Sequence, residues 1–202
     1  MGTVAIVDYG VGNLKSVANA LSYLGCSSCI TADLAELERA DAIILHGVGA
    51  FPDAADRLRS GGLDQHVLAQ GQKKPVLGIC LGMQLLLEQG REVRPCPGLG
   101  VIRGTVDRIP TQSKLPHIGW NSLRFFHHSP LFRGLDEGAY VYFVHSFSAQ
   151  DTDPAQVIAV TDYGPAVTAA VSSGNFYGTQ FHPEKSGEVG LTILRNFAGL
   201  NC

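Results

Sequence analysis

A cysteine between small residues, where an apolar run gives way to a helical pattern, is well placed to act as a nucleophile. Cys80 sits in such a place: Gly78-Ile79-Cys80-Leu81-Gly82 follows Pro75-Val76-Leu77 and precedes Met83-Gln84-Leu85-Leu86-Leu87, which reads as a helix. Strand, sharp turn, helix is the thiol form of a nucleophile elbow. Such a turn tolerates little bulk. The free N–H groups and positive end of the following helix face the sulfur, which suits a nucleophilic thiolate. Alone, so short a pattern also fits a buried structural cysteine, because free Cys behaves as a small apolar residue.

The far end of the chain supplies a base. Gln180-Phe181-His182-Pro183-Glu184 follows a strand-like run from Gly174 to Thr179. His182 and Glu184 are two apart, so on an extended backbone both side chains leave one face. Pro183 supports this, since the residue before a proline is pushed out of the helical region. An imidazole beside a carboxylate is the base-and-orienter half of a triad. Glu184 is expected to set the tautomer of His182 and stabilise its protonated form. By itself His182-Pro183-Glu184 reads as a solvated loop; joined to the elbow, in the order Cys, His, Glu, it reads as catalytic.

The chemistry implied is acyl transfer: the Cys80 thiolate attacks a carboxamide or ester carbonyl, His182 protonates the leaving group and then activates water to release the thioester. An oxyanion hole must face the elbow. Gly47-Val48-Gly49, a small-residue turn at the end of the strand-like Ala42–Leu45, is placed to offer a backbone N–H, with that of Leu81 as second donor. Gln84, one turn after the nucleophile, is either a substrate contact or a surface glutamine.

The elements that must hold these residues alternate. Thr3–Asp8 is a continuous apolar run fit for a strand buried on both faces. Leu14, Val17, Ala18, Leu21 and Leu24 line one helical face, with Asn13 as N-cap and Gly25 as stop. A strand at Cys29-Ile30-Thr31, a short helix from Ala35, a strand at Ala42–Leu45 and helical sequence broken at Gly61-Gly62 lead to the elbow. This alternation predicts an α/β/α sandwich on a mostly parallel sheet, whose strand ends form a ligand crevice. The second half predicts an antiparallel extension, with strands at Val101–Ile109, Ser122–Phe126, Tyr140–Phe147, Gln156–Thr161 and Val167–Val171, then a last helix over Gly187–Ala198.

The 202 residues suit one medium α/β domain, and a net charge of −3 without a basic cluster argues against nucleic acid. No apolar run approaches the roughly 20 residues of a membrane span, and the N-terminus reads as a first strand, not a leader. Five cysteines, an odd number, point to a reducing cytoplasm instead of a disulfide framework. Cys26 and Cys29 form a C-x-x-C pair, but one ending a helix and entering a strand; a thioredoxin-like pair precedes a helix. Cys96 and Cys202 show no pairing pattern, and no His/Cys spacing supports a zinc site.

Gly78–Gln84 and Phe181–Glu184 together resemble the catalytic motifs of the class I, triad-type glutamine amidotransferases. Asp8–Leu14, Gly47–Phe51, Pro116–Asn121 and Tyr142–Phe147 resemble a narrower branch, the glutaminase subunits of imidazole glycerol phosphate synthase. The resemblance runs from the first strand to the last helix. It implies one amidotransferase domain over residues 1–202 that needs no cofactor and hydrolyses glutamine to glutamate and ammonia. The ammonia would pass to a separate (β/α)8-barrel cyclase subunit of histidine biosynthesis, since a barrel of about 250 residues does not fit in this chain. It further implies that Gln84, Ser146 and Phe147 face the substrate, and that Asn13, Tyr142 and Lys185 surround the ammonia exit. Trp120 is then an interface anchor or, alternatively, a core tryptophan. The competing readings are a glutaminase serving another synthase, a non-catalytic subunit and a stand-alone cysteine hydrolase. Two residues depart from the pattern. His46 stands where proline is usual, which predicts a less restrained loop, and Phe147 stands where tyrosine is common.

Overall fold

Alternate residues of the first strands point to opposite sides, and the protein has a packed layer on each. The computed structural model describes residues 2–200, which leaves Cys202 outside the described residues. The first half comprises β1 (Val4–Val7), α1 (Leu14–Tyr23), β2 (Ser28–Thr31), α2 (Leu34–Arg39), β3 (Ala42–Gly47), α3 (Phe51–Ser60), α4 (Leu63–Gly71), β4 (Val76–Cys80) and α5 (Leu81–Leu85). The second comprises β5 (Leu87–Gly90), β6 (Cys96–Pro97), β7 (Ile102–Arg108), β8 (His117–Ser122), β9 (Arg124–Phe125), β10 (Tyr140–His145), β11 (Phe147–Gln150), β12 (Val157–Asp162), β13 (Ala166–Ser173), β14 (Phe176–Thr179) and α6 (Gly187–Ala198).

The main sheet has the order β2-β1-β3-β4-β14-β13-β12-β9, parallel from β2 to β14 and antiparallel beyond. Val4, Ile6, Ala42 and Ile44 pack with Val17 and Leu21 of α1 and with Ile193 and Phe197 of α6. Ala5, Val7, Ile43 and Leu45 pack with Leu37, Ala54, Leu58 and Val67 of α2, α3 and α4. Period-two alternation along each strand thus fills both layers, as a sheet covered on both faces requires. Two smaller sheets, β10-β8 and β11-β7-β5-β6, complete the fold.

Several sequence expectations hold closely. The last helix occupies Gly187–Ala198, and Gly61 and Gly62 separate α3 from α4. Gly25 stops α1 with φ +72°, although Asn13 makes no side-chain capping bond. Other expectations need correction. The helix after the elbow ends at Leu85 instead of Leu87, because the carbonyls of Leu85, Leu86 and Leu87 accept from Leu99, Val101 and Gly100 and draw the chain into β5. Gly98 permits that approach, since a Cβ there would stand 2.0 Å from the Leu87 oxygen. The run Tyr140–Phe147 is two strands that part at Ser146, and Ser122–Phe126 is split between β8 and β9. The extension is not wholly antiparallel, because β5 pairs with β7 in parallel. Among the described residues Cys29, Cys80 and Cys96 are free thiols; burial, followed by the charge of Glu36, pushes the Cys29 thiol up, which does not favour a redox role.

Candidate active site

The parallel register of β3 and β4 sets Gly47 beside Cys80 at the carboxyl end of the sheet. Cys80 adopts φ +55° and ψ −110°, a region that a side chain enters only at a cost. The elbow has glycines because its backbones touch. A Cβ on Gly82 would lie 1.7 Å from the Leu45 oxygen, and one on Gly78 would lie 2.6 Å from the Gly82 oxygen. The small flanking residues are therefore a steric requirement of the turn.

His182 Nδ1 lies 2.7 Å from Glu184 Oε1. The pair does not meet across an extended backbone as the spacing suggests. His182 itself is extended, but Pro183 opens a 3-10 turn, Pro183–Lys185, which folds the carboxylate back under the ring. That turn is tied to the edge of β10: His182 N–H donates to Tyr142 O at 3.0 Å, and Tyr142 N–H to Ser186 Oγ at 3.0 Å. The Ser186 hydroxyl in turn donates to His182 O at 2.6 Å.

Burial alone would lower the pKa of His182, but interaction with the Cys80 sulfur and with Glu184 outweighs it and raises the value to about 9. Burial alone would raise that of Glu184, but hydrogen bonds from His182 and His46 outweigh it and hold the value at about 2. His182 Nε2 meets no hydrogen-bond acceptor among the described residues, so its coupling to the sulfur is electrostatic. A donor does reach the sulfur: Gln180 Nε2 lies 3.8 Å from Cys80 Sγ, and Gln180 Oε1 accepts from Gln84 Nε2 at 3.0 Å.

These groups open on a cavity of about 370 Å³ lined by Val48, Gly49, Cys80, Leu81, Gln84 and His182, with Ser146, Phe147 and Lys185 among its other walls. The expected substrate-side residues thus converge, with two refinements. Gly47 is not among the lining residues; it packs on the buried Tyr9 hydroxyl, which a Cβ at this position would approach to 2.5 Å. Gln84 is buried and lines the cavity, but its amide also donates to Phe147 O at 3.0 Å, so it braces the wall as well. At the departure, β3 continues through His46 to Gly47, and the imidazole is fully buried with Nε2 3.4 Å from Glu184 Oε1.

Sequence reasoning missed four participants. Gln180 is two residues before His182, a spacing that signals a shared face. Glu92 lines the cavity while its carboxylate accepts the Phe51 N–H at the start of α3, at 2.8 Å. His145 and His117 form a buried pair: His145 Nδ1–H donates to Phe147 O at 2.8 Å, so Nε2 accepts from His117 Nδ1–H at 3.1 Å. Burial lowers both histidines to about 4. His46, His182 and Glu184 also offer ligand atoms within 4.8 Å of one another, a spacing that a cation can span. Because both imidazoles address one carboxylate oxygen, the arrangement is that of groups sharing protons.

On the outer face, Trp120 is 51 % exposed, between Ile118 and Tyr140, each 58 % exposed, and it meets the Tyr142 ring edge-on. Trp120 is thus a surface residue and not part of the core. Asn13 and Lys185 are also exposed.

The class-I glutamine amidotransferase family model matches residues 5–199. The chain belongs to that family. The amidotransferase is 48 % identical over 200 residues to the imidazole glycerol phosphate synthase subunit HisH of Bacillus cereus, an alignment that covers 98 % of this chain and 94 % of that protein. The HisH subunit of Bacillus anthracis is 45 % identical over 198 residues, with the same coverage. A solved glutamine amidotransferase structure superposes with a TM-score of 0.76 at 20 % identity, over 97 % of this chain and 99 % of that one, which establishes the likeness of fold.

Proposed function

We propose that this amidotransferase is the glutaminase subunit of an imidazole glycerol phosphate synthase, with residues 1–202 as one catalytic domain, Cys80 as nucleophile, His182 as acid and base, and Glu184 as its orienting partner. The observation that carries this reading is the His182–Glu184 contact of 2.7 Å beside a cysteine held at positive φ on a cavity wall. The Cys80 thiolate adds to the side-chain carbonyl of glutamine. N–H groups of Leu81 and the Val48-Gly49 loop receive the oxyanion, and protonated His182 gives its proton to the departing ammonia. Neutral His182 then takes a proton from water, whose oxygen attacks the thioester carbon and frees glutamate, returning Cys80. Glu92 and Lys185 put opposite charges on the cavity wall, which suits the ammonium and carboxylate of an amino acid.

Ammonia is used by a separate (β/α)8-barrel cyclase docked on the exposed face of β8 and β10, with Trp120 as an aromatic anchor. Support for this partner is the high identity to proteins named as subunits of that synthase and the aromatic face continuous with the cavity wall at Val144 and Lys185. The thiols of Cys29, Cys80 and Cys96 suit a cytoplasmic setting, and among the described residues no helix is long and apolar enough to cross a membrane.

The test is glutamate release from glutamine by the purified chain, with and without the cyclase subunit carrying its ribonucleotide. Release that rises strongly with the loaded partner supports the proposal. Release indifferent to that partner keeps the glutaminase and points to another synthase.

A further inference from the structure

Glu184 answers to two imidazoles. His46 Nε2 lies 3.4 Å from the same Oε1 that accepts from His182 at 2.7 Å, and the two rings are 5.5 Å apart. The side chains of His46 and Glu184 are wholly buried. His46 Nδ1 has no hydrogen-bond partner among the described residues and lies against the loop after β1, where a Cβ on Gly12 would stand 2.6 Å from it. An N–H on that nitrogen would be buried without an acceptor, which is costly. The proton therefore belongs on Nε2, aimed at the carboxylate.

We propose that His46 is a positioning residue that acts through Glu184, dividing the carboxylate's charge between two donors so that His182 releases its proton readily in the thioester step. This rests on the glutaminase reading and deepens it. The two halves of the reaction make opposite demands on His182. Attack benefits from an imidazolium beside the thiolate, whereas thioester hydrolysis requires a neutral imidazole, at a stage when the sulfur no longer carries charge to hold the proton. A carboxylate serving His182 alone would retain that proton more strongly. A second donor on the same oxygen weakens the grip while leaving the tautomer and the ring position set.

The groups facing this cluster come from every side. Cys80 lies at the end of β4, His145 on β10, and Tyr9 beyond Gly47, its phenol pushed up first by burial and then by the charge of Cys80. Lys185 is at the exposed rim of the cavity. Of these groups, His46 is the one that shares a hydrogen bond with Glu184 alongside His182.

The experiment titrates His182 by NMR in the Cys80→Ala chain, where the sulfur charge is absent as it is in the thioester. Adding His46→Leu is expected to raise the His182 pKa by about one unit. His46→Gln, whose amide N–H reaches the same oxygen, is expected to restore it. An unchanged His182 titration in the Leu variant overturns the proposal. Should that variant not fold, the imidazole nitrogen shifts of the Cys80→Ala chain decide: a proton on His46 Nε2 supports the proposal, and one on Nδ1 overturns it. In the otherwise native chain, His46→Leu is expected to move the acid limb of kcat upward with KM for glutamine unchanged, whereas a purely structural role would lower activity without moving the limb. The NMR readouts need no turnover. Failure of glutamine hydrolysis would therefore count against the function and leave His46 separately decided.

Discussion

Two histidine sites share one cavity and are driven in opposite directions. His182, on the turn after β14, is raised to about 9, whereas His145, at the end of β10, is lowered to about 4. Both are buried, and burial alone would lower either. The difference lies in the partner. His182 faces a thiol and an ionised carboxylate, while His145 donates to the Phe147 carbonyl and faces the neutral His117, a pair stacked beside Phe143 and Tyr163. A charged partner makes an imidazole an acid-base group, and a dipolar partner makes it a rigid hydrogen-bonding brace. The first arises at the carboxyl end of the parallel strands, the second in the small sheet that closes the cavity.

The two sites also predict opposite stability windows. The contribution of His182, with its folded pKa raised, is complete below about 6.5 and lost as pH rises through about 9. Glu184, depressed to about 2, contributes fully above about 4.5 and loses that contribution as pH falls towards 2. For the neutral pair His117 and His145, stability is complete above 6.5 and lost as pH falls towards 4.

Removing the sulfur charge is the most drastic way to break the contrast. Cys80→Ala is expected to abolish glutaminase turnover, a loss on the order of 10⁶ where a triad nucleophile has been deleted, while ammonia-driven synthesis by the complex persists. The alkaline loss of stability should move to lower pH in that variant, with the acid limb near pH 4–6.5 unmoved; urea midpoints across pH read both. Glu184→Gln should cost roughly 10⁴ in kcat and move His182 toward the behaviour of His145, its pKa falling by NMR titration while Cys80 still holds part of the rise. A His182 still titrating near 9 in that variant would mean the carboxylate is not what separates the sites.

On the brace side, His145→Leu strands the His117 N–H, while the Phe147 oxygen keeps Gln84 as its donor, and such a buried orphan costs about 1–3 kcal/mol. Chemical unfolding should show that loss without moving the alkaline limb that belongs to His182. Smallest in its effect on the chain itself is Trp120→Ala: partner affinity should weaken by about 2 kcal/mol, while the unfolding free energy stays within about 0.5 kcal/mol. Titration calorimetry with the cyclase subunit and urea melts of the free chain measure the two sides.

Much of this was legible because it is local. A proline-bounded His and Glu, glycines around a cysteine, apolar alternation along β1 and β3, and the helix Gly187–Ala198 all depend on near neighbours and backbone sterics. Helical propensity extends the helix after the elbow through Leu86 and Leu87, yet their carbonyls are taken by Val101 and Gly100, which propensity does not weigh. The contact of His46 with Glu184 is not legible in the sequence, because its partner is 138 positions away.

The sequence by itself determined the chemistry available: a thiol on a strained turn, an imidazole with a carboxylate two residues on, and strands that gather both at one end of a parallel sheet. Only the tertiary structure decided how that chemistry is tuned. Sheet order β3-β4-β14 brings His46 to Glu184 and Gln180 to Cys80, and the β8–β10 pairing turns Trp120 outward and seals His117 inward. The physical reason is the same throughout. Conformation follows from sterics over a few residues, whereas the charge state of a buried group follows from whichever distant side chains the fold packs against it.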